Sequence, residues 1–382
     1  MRNREVFDFL LLLPSLGITR VGHVHKDIFF LADGLKNLGY RVAVLFLPQA
    51  TVELYSALRK EKKIKLREYI VGLVSCLSFT SRFSYLGTAL IVSKVGGVVW
   101  PSLSSQRMFF WSERVFLQSS RLVFNTTAVA YYIASKKHQI RSYYLVYHNH
   151  EKDYLSSRQI VSIAFAANHN KIVTSERTRK MLNLDPRCKM DVAVDSEVIA
   201  YTSVMKRLPY TVLVPLRKAP LKGAKFAIAA IRSILNADPR IVVYTFGDYP
   251  YVYPHRRCIN MKMVNKKILA SLYARCELFV LPSTEEGMPN TLLEAIANGC
   301  IVVSTDVGGV EDVITNGING VIIPAMDAKA IERAVLHLET HRELIEKFRA
   351  NSIEVAERFS VGNMAKSFIA AVSYYEGSTR YS

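Results

Sequence analysis

The sequence predicts an α/β protein built from two Rossmann-like αβα domains in tandem, and three observations lead there. Apolar runs of strand length alternate with stretches of helical period along most of the 382 residues. The runs are apolar at successive rather than alternate positions, as parallel strands covered on both faces must be. A polar stretch at 195–209 separates two such series, and at roughly 100–200 residues per domain this length calls for two domains.

In the first series, 6–13 reads as a strand, 17–22 as a glycine-bounded turn, and Ile28, Leu31, Ala32, Leu35 and Leu38 mark one face of a helix that Gly39 stops. The run 41–47 returns as a second strand, which completes a β-α-β unit. Further strands are expected at 122–124, 142–147 and 171–174. The second series gives strands at 211–214, 241–245, 278–281, 301–304 and 321–323, with helices at 223–235, 265–274 and 291–297 between them. After Pro324 one long helical pattern is expected over 328–358, then a last one over 361–375.

Composition narrows the function classes. With 50% hydrophobic and 21% charged residues the chain is neither disordered nor a small disulfide scaffold. Its five cysteines (Cys76, Cys188, Cys258, Cys276, Cys300) are scattered without C-x-x-C spacing, and so read as thiols of a reducing compartment. The apolar N-terminus is interrupted by Asp8 and reads as a strand, not a leader. The stretches 69–80 and 85–100 are too short or too interrupted to span a bilayer, which leaves a soluble or peripheral protein. The net charge of +18 calls for an anionic partner, and it is uneven: residues 1–190 carry 28 Lys and Arg against 12 Asp and Glu, residues 191–382 carry 22 against 20. The run at 59–67 is part of the excess, although taken alone it reads as a solvated face.

Ligands of open parallel sheets bind beyond the carboxyl ends of the strands. After the strand 278–281 comes a turn marked by Gly287 and Pro289, and Asn290 or Thr291 starts the helix that carries Glu294. The free amides of such a helix start favour an anion, so this is a predicted phosphate site. Glu286 lies before the turn and Glu294 one helical turn in, so both carboxylates can face one ligand. Their ordinary alternatives are a solvated loop acid and a first-turn acid favouring the helix dipole, the latter weakened by the apolar flanks of Glu294. The pair alone would also suit a glycosidase, but a phosphate site beside it does not. After the strand 211–214 stand Arg217 and Lys222, five residues apart before Gly223, and two such cations can hold a diphosphate. His148 and His150 end a strand of the first half; with no third ligand at spacing they read as sugar-contacting or hydrogen-bonded histidines, not as a metal site. No G-x-G-x-x-G occurs, and the segment from Gly17 to Gly22 has P-loop glycine spacing but lacks its Lys and Ser/Thr, which takes most of the support from dinucleotide oxidoreductases and P-loop ATPases.

The segments LPSTEEGMPNTLLEAIANGCIVVSTDVGGVED (281–312) and NGINGVIIP (316–324) resemble the donor-site signature of glycosyltransferase family 4, retaining enzymes of GT-B fold. Looser likeness covers nearly the whole chain, including Ser175-Glu176, Val194-Asp195, Gly247-Asp248 and Phe359-Ser360. The resemblance implies two Rossmann-like domains facing each other across a cleft, with a final helix crossing back to the first. It implies an acceptor domain at 1–200, a nucleotide-sugar donor domain at 201–358 and the crossover helix at 359–382. It assigns Glu294 to the ribose hydroxyls and Glu286 to the transferred sugar. Arg217 and Lys222 would hold the donor diphosphate, with the amides of Gly287, Met288, Pro289's turn, Asn290 and Thr291. Gly22 would approach the diphosphate from the first domain, and His150, or His148 in a slipped register, would stand near the anomeric carbon. Two departures stand out: His23 follows Gly22 where relatives often have a second glycine, and 258–264 lacks the glycine that relatives carry near the base.

The expected protein is therefore a retaining, metal-independent hexosyltransferase that needs no cofactor beyond its UDP- or GDP-linked sugar substrate. Its acceptor is expected to be a lipid-linked or cell-surface glycan. The basic first half suggests a cytoplasmic protein peripheral on an anionic membrane, with 59–67 and 69–100 as contact segments and no nucleic acid as partner. The alternatives are a non-enzymatic binder of nucleic acid or anionic membrane, and a sugar-nucleotide epimerase on the same fold.

Overall fold

Continuous apolar strands must be covered on both faces, and this is how the chain folds. The structure, a computed structural model, describes residues 7–13, 23–46, 107–110, 120–126, 129–130, 133–134, 140–147, 165–199 and 205–378. Gly22, His148, His150 and the segments 59–67 and 69–100 lie outside the described residues. The chain divides into two compact units, Met1–Thr174, Thr178–Ala193 and Val361–Ser382 forming the first, Ser175–Arg177 and Val194–Ser360 the second.

The first unit contains β1 (Phe9–Leu13), α1 (His23–Asn37), β2 (Val42–Phe46), β3 (Arg107–Phe110), β4 (Arg121–Phe124), β5 (Arg141–Val146) and β6 (Asn170–Val173). These strands form one parallel sheet in the order β3-β2-β1-β4-β5-β6. All five residues of β1 are buried: Phe9, Leu11 and Leu13 enter one core with α1, while Leu10 and Leu12 enter another with Phe124 and Tyr144.

The second unit contains β7 (Leu208–Pro215), α2 (Ala224–Ala237), β8 (Val242–Phe246), β9 (Cys258–Asn260), α3 (Lys266–Arg275), β10 (Cys276–Leu281), α4 (Asn290–Ala297), β11 (Ile301–Thr305), β12 (Gly320–Ile323), α5 (Ala328–Thr340) and α6 (Arg342–Ala356). Its sheet is parallel, in the order β12-β11-β10-β7-β8-β9. Counted from its own first strand this repeats the order 3-2-1-4-5-6 of the first sheet, the doubly wound arrangement of dinucleotide-binding folds. Each unit is thus a Rossmann-like domain.

The expected single helix over 328–358 is two, α5 and α6, broken at His341, whose φ of −116° and ψ of 67° are not helical. The segment between the units is tied down at Asp195, which is buried and takes an ion pair from Lys266 at 2.7 Å.

α7 (Val361–Ser378), the last helix, belongs to the first unit. Its Met364, Ala365, Phe368, Ala371 and Val372 join the α1 core, where the Phe368 ring meets Phe9 edge-on at 5.6 Å. The close approach of the two helices needs a small residue: a Cβ on Gly34 of α1 would lie 2.7 Å from the Ala365 Cβ and the Val361 carbonyl oxygen. At the far end Arg121 makes a two-point pair with Glu376 (2.6 and 2.9 Å), to which Tyr143 adds a hydrogen bond at 3.1 Å.

Candidate active site

In a doubly wound sheet the crevice opens where strand order reverses, here between β7 and β10. The loops leaving those two strands carry Arg217, Lys222 and Glu286. They are fastened together by backbone: Thr284 donates its N–H to the Leu221 carbonyl at 2.8 Å, and its hydroxyl reaches the same oxygen at 3.2 Å. Gly223 lets them approach. It has φ +65°, and a Cβ there would lie 1.8 Å from the Pro282 carbonyl oxygen.

Glu286 is the hub of the site. Lys222 Nζ donates to both of its carboxylate oxygens at 2.7 Å, and Ser283 Oγ donates to Oε1 at 2.7 Å. The Glu286 side chain is 10% exposed and that of Lys222 38%, so the acid is embedded and the lysine reaches it from the rim. Ser283 is itself buried, and its carbonyl accepts a hydrogen bond from Thr305 Oγ1. Behind the turn, Gly309 donates its N–H to the Gly287 carbonyl at 2.6 Å, and Met288 packs against the same glycine. Gly308 has φ +53°, and a Cβ there would fall 2.4 Å from the Glu286 carbonyl oxygen. The glycines of VGGVED are therefore a backrest for the Glu286 turn.

Arg217 stands earlier on the β7 loop, its Nε 3.3 Å from Asp248 Oδ1. Asp248 also accepts the Lys218 backbone N–H at 3.0 Å, and this bond, with the Arg217 charge, holds its carboxyl below the usual range. Helix α4 starts at Asn290 after Pro289, with no side chain capping its first turn, which leaves its leading amides to an anion. Thr291 is half-buried there. Glu294 is buried among Leu292, Leu293, Ala295 and Ile296, so it is not an exposed first-turn acid. The Tyr273 hydroxyl of α3 donates to Glu294 Oε2 at 3.3 Å, and burial together with that carboxylate drives the phenol's pKa well up.

The structure thus joins Lys222 directly to Glu286 in one cluster, sets Arg217 and the α4 start at the same sheet edge, and gives Glu294 its own partner in Tyr273. Ser283, Asp248 and Tyr273 were given no role by sequence reasoning. Ser283 and Asp248 stand inside quoted motifs, which was their signal; Tyr273 had none. Among the described residues no three His, Cys, Asp or Glu side chains cluster to hold a metal ion, and no helix is long and apolar enough to cross a membrane. Of the cysteines, Cys188, Cys276 and Cys300 are buried and Cys258 half-buried, and burial pushes the Cys258 and Cys300 thiols up to about 11.

Residues 211–341 match the family model of glycosyl transferases group 1, which spans β7 to the start of α6 and so contains the whole cluster. The structure of HepE from Anabaena in complex with UDP superposes with a TM-score of 0.64, covering 96% of this chain and all of that one at 14% identity. The fold is GT-B. Among curated relatives, this GT-B chain is 24% identical to the capsular polysaccharide biosynthesis glycosyltransferase CapM of Staphylococcus aureus over 94% of both. It is 37% identical over 103 residues to the lipopolysaccharide core biosynthesis mannosyltransferase LpsB of Rhizobium meliloti, 26% of this chain and 29% of that one. Other curated relatives are matched in part only, three of them over 18 to 26% of their length.

Proposed function

We propose that the protein is a retaining glycosyltransferase of family 4 that moves a sugar from a UDP- or GDP-linked donor to a lipid-linked or cell-surface glycan. One observation carries the reading: Lys222 meets an embedded carboxylate across the loops leaving β7 and β10, where the strand order of the second unit reverses, with Arg217 on the same β7 loop and an uncapped helix start after β10. Cations and helix start suit a diphosphate, and Glu286 has the oxygens to orient a sugar. HepE, with the same fold, is described with UDP and with UDP-glucose.

In the proposed reaction the bond between the anomeric carbon and the diphosphate oxygen breaks while the acceptor hydroxyl attacks from the same face. A new carbon–oxygen bond forms, and the acceptor proton passes to the departing phosphate oxygen. Arg217, Lys222 and the backbone N–H groups of Gly287, Met288, Asn290 and Thr291 stabilise the negative charge that grows on the leaving group. They also bind the ground state, so only the increment accelerates transfer. Glu286 orients the sugar and Glu294 receives the ribose hydroxyls; the family resemblance assigns His150 to the anomeric carbon and Gly22 to the diphosphate. These cations supply the countercharge, so no metal is required. The acceptor domain is 1–200, the donor domain 201–358 and the crossover 359–382.

A thermal-shift panel of UDP-, GDP- and ADP-sugars tests the donor site, because a bound ligand raises the melting temperature by mass action. At least one is expected to do so, Glu294→Ala is expected to abolish the shift, and Lys222→Ala to depress turnover at least 100-fold, about the effect of losing one charge-stabilising donor. Unaltered transfer in both purified variants would sink the assignment. Analysis of the product separates transfer from epimerisation.

A further inference from the structure

Two of the three donors of the Lys222 ammonium go to the two oxygens of one carboxylate, at 2.7 Å each, so a diphosphate that takes more than the remaining donor must draw the lysine away from Glu286. We propose that this pair is a latch at the donor site: a diphosphate takes Lys222 from Glu286, and the carboxylate so released is then satisfied by hydroxyls of the attached sugar. The proposal rests on the donor-site reading above and deepens it, since it makes one site sense both halves of its ligand.

The surroundings decide which partner moves. Glu286 is held from behind by the buried Ser283 hydroxyl, and Ser283 is in turn held through its carbonyl by Thr305, so the carboxylate stays when the lysine leaves. Lys222 is 38% exposed, sits on a flexible four-carbon stem, and closes a three-residue turn, Pro220–Lys222, on the loop rim. Once it swings away, the 10%-exposed carboxylate keeps only the Ser283 donor among its two present partners. An embedded carboxylate short of donors is costly. A nucleoside diphosphate without a sugar leaves that cost standing, whereas the full donor relieves it. The latch therefore opposes the binding of the bare nucleoside diphosphate, the leaving product, relative to the intact substrate.

The consequence has an unusual sign, because removing a carboxylate's charge at the site should tighten one ligand. In Glu286→Gln the Ser283 bond and the side-chain shape are kept, but Lys222 is no longer held by a charge. Calorimetric titrations with UDP, GDP and ADP, carried to millimolar nucleotide, are made on four proteins: wild type, Glu286→Gln, Lys222→Met and the double variant. Urea midpoints are measured alongside to show that each is folded. Glu286→Gln is expected to bind the preferred nucleotide about three- to tenfold more tightly than wild type, the scale of one partly exposed ion pair. The gain is expected to vanish in the Lys222→Met background. An equal gain in both backgrounds would mean a general field effect and would overturn the latch, as would no gain at all; in either case nucleotide binding by wild type leaves the donor site standing. If neither wild type nor Glu286→Gln binds any of the three, both readings fall.

Discussion

Lys222 meets Glu286 because the residue after it has no side chain. Gly223→Ala would put a methyl group 1.8 Å from the Pro282 carbonyl oxygen in a left-handed backbone. The loop must then open, at a cost of at least about 3 kcal/mol in urea unfolding, with loss of the nucleotide thermal shift. Gly362→Ala is the contrast. That glycine lies in the first turn of α7 with nothing within 4 Å of the added carbon, so the change is expected to be neutral or to stabilise by up to about 1 kcal/mol. Glu339 is a different kind of residue, a buried acid sharing Arg342 with a second buried acid, Glu277. Arg342 Nη1 lies 2.6 Å from an oxygen of each, and Nη2 reaches Glu277 again at 2.6 Å. Burial first, and then the Glu277 charge, push Glu339 from 4.5 to about 7 against the pull of Arg342. The folded protein thus holds a proton that the unfolded chain gives up near pH 4.5. Stability from this group is full below that pH and is lost as the pH rises toward 7. Between pH 5 and 8 wild type should lose on the order of 2 kcal/mol relative to Glu339→Gln, read from urea midpoints. Equal slopes for the two proteins would show that Glu339 is already ionised at pH 5.

At the scale of elements, α7 is the keystone of the first unit. Phe368→Ala would remove a fully buried ring from between β1 and α1, and is expected to cost about 3–5 kcal/mol in chemical unfolding. How well each element could be read from sequence follows from how it is buried. β10 and β11 are buried at every residue, so their apolar runs predicted them within two residues of where they lie. β9 has three residues, none fully buried, and left no run to read. β3 was not anticipated either. The merged α5–α6 pattern has a different cause. Both helices carry an apolar stripe, and the break falls at His341 with no glycine or proline to announce it. The site divides the same way. Lys222, Gly287 and Glu286 were legible because their chemistry is local to two loops, whereas Tyr273 reaches Glu294 across 21 residues and two elements.

For the whole molecule, charge and connectivity have separate consequences. The basic excess of residues 1–190, 28 against 12, has no counterpart in residues 191–382, 22 against 20. We propose that it draws the first unit to an anionic membrane. Flotation with vesicles containing phosphatidylglycerol should recover the protein at about 20 mM salt and release it at about 500 mM, where the Debye length shrinks below about 5 Å. No binding at the lower salt would leave the membrane proposal without support. Connectivity acts in time. The first unit's core is finished by residues from Met364 onward, yet 167 residues, Val194–Ser360, belong to the other unit and intervene. At roughly 5–20 residues per second, a ribosome needs on the order of ten to forty seconds to travel from Ala193 to the end of α7. The second unit, nearly contiguous in the chain, has all but three of its residues within one stretch and can fold as that stretch emerges. The first waits with an unfilled groove along α1, so the domain made first is the one completed last, and its exposure to chaperones and proteases is set by the length of the domain inserted into it.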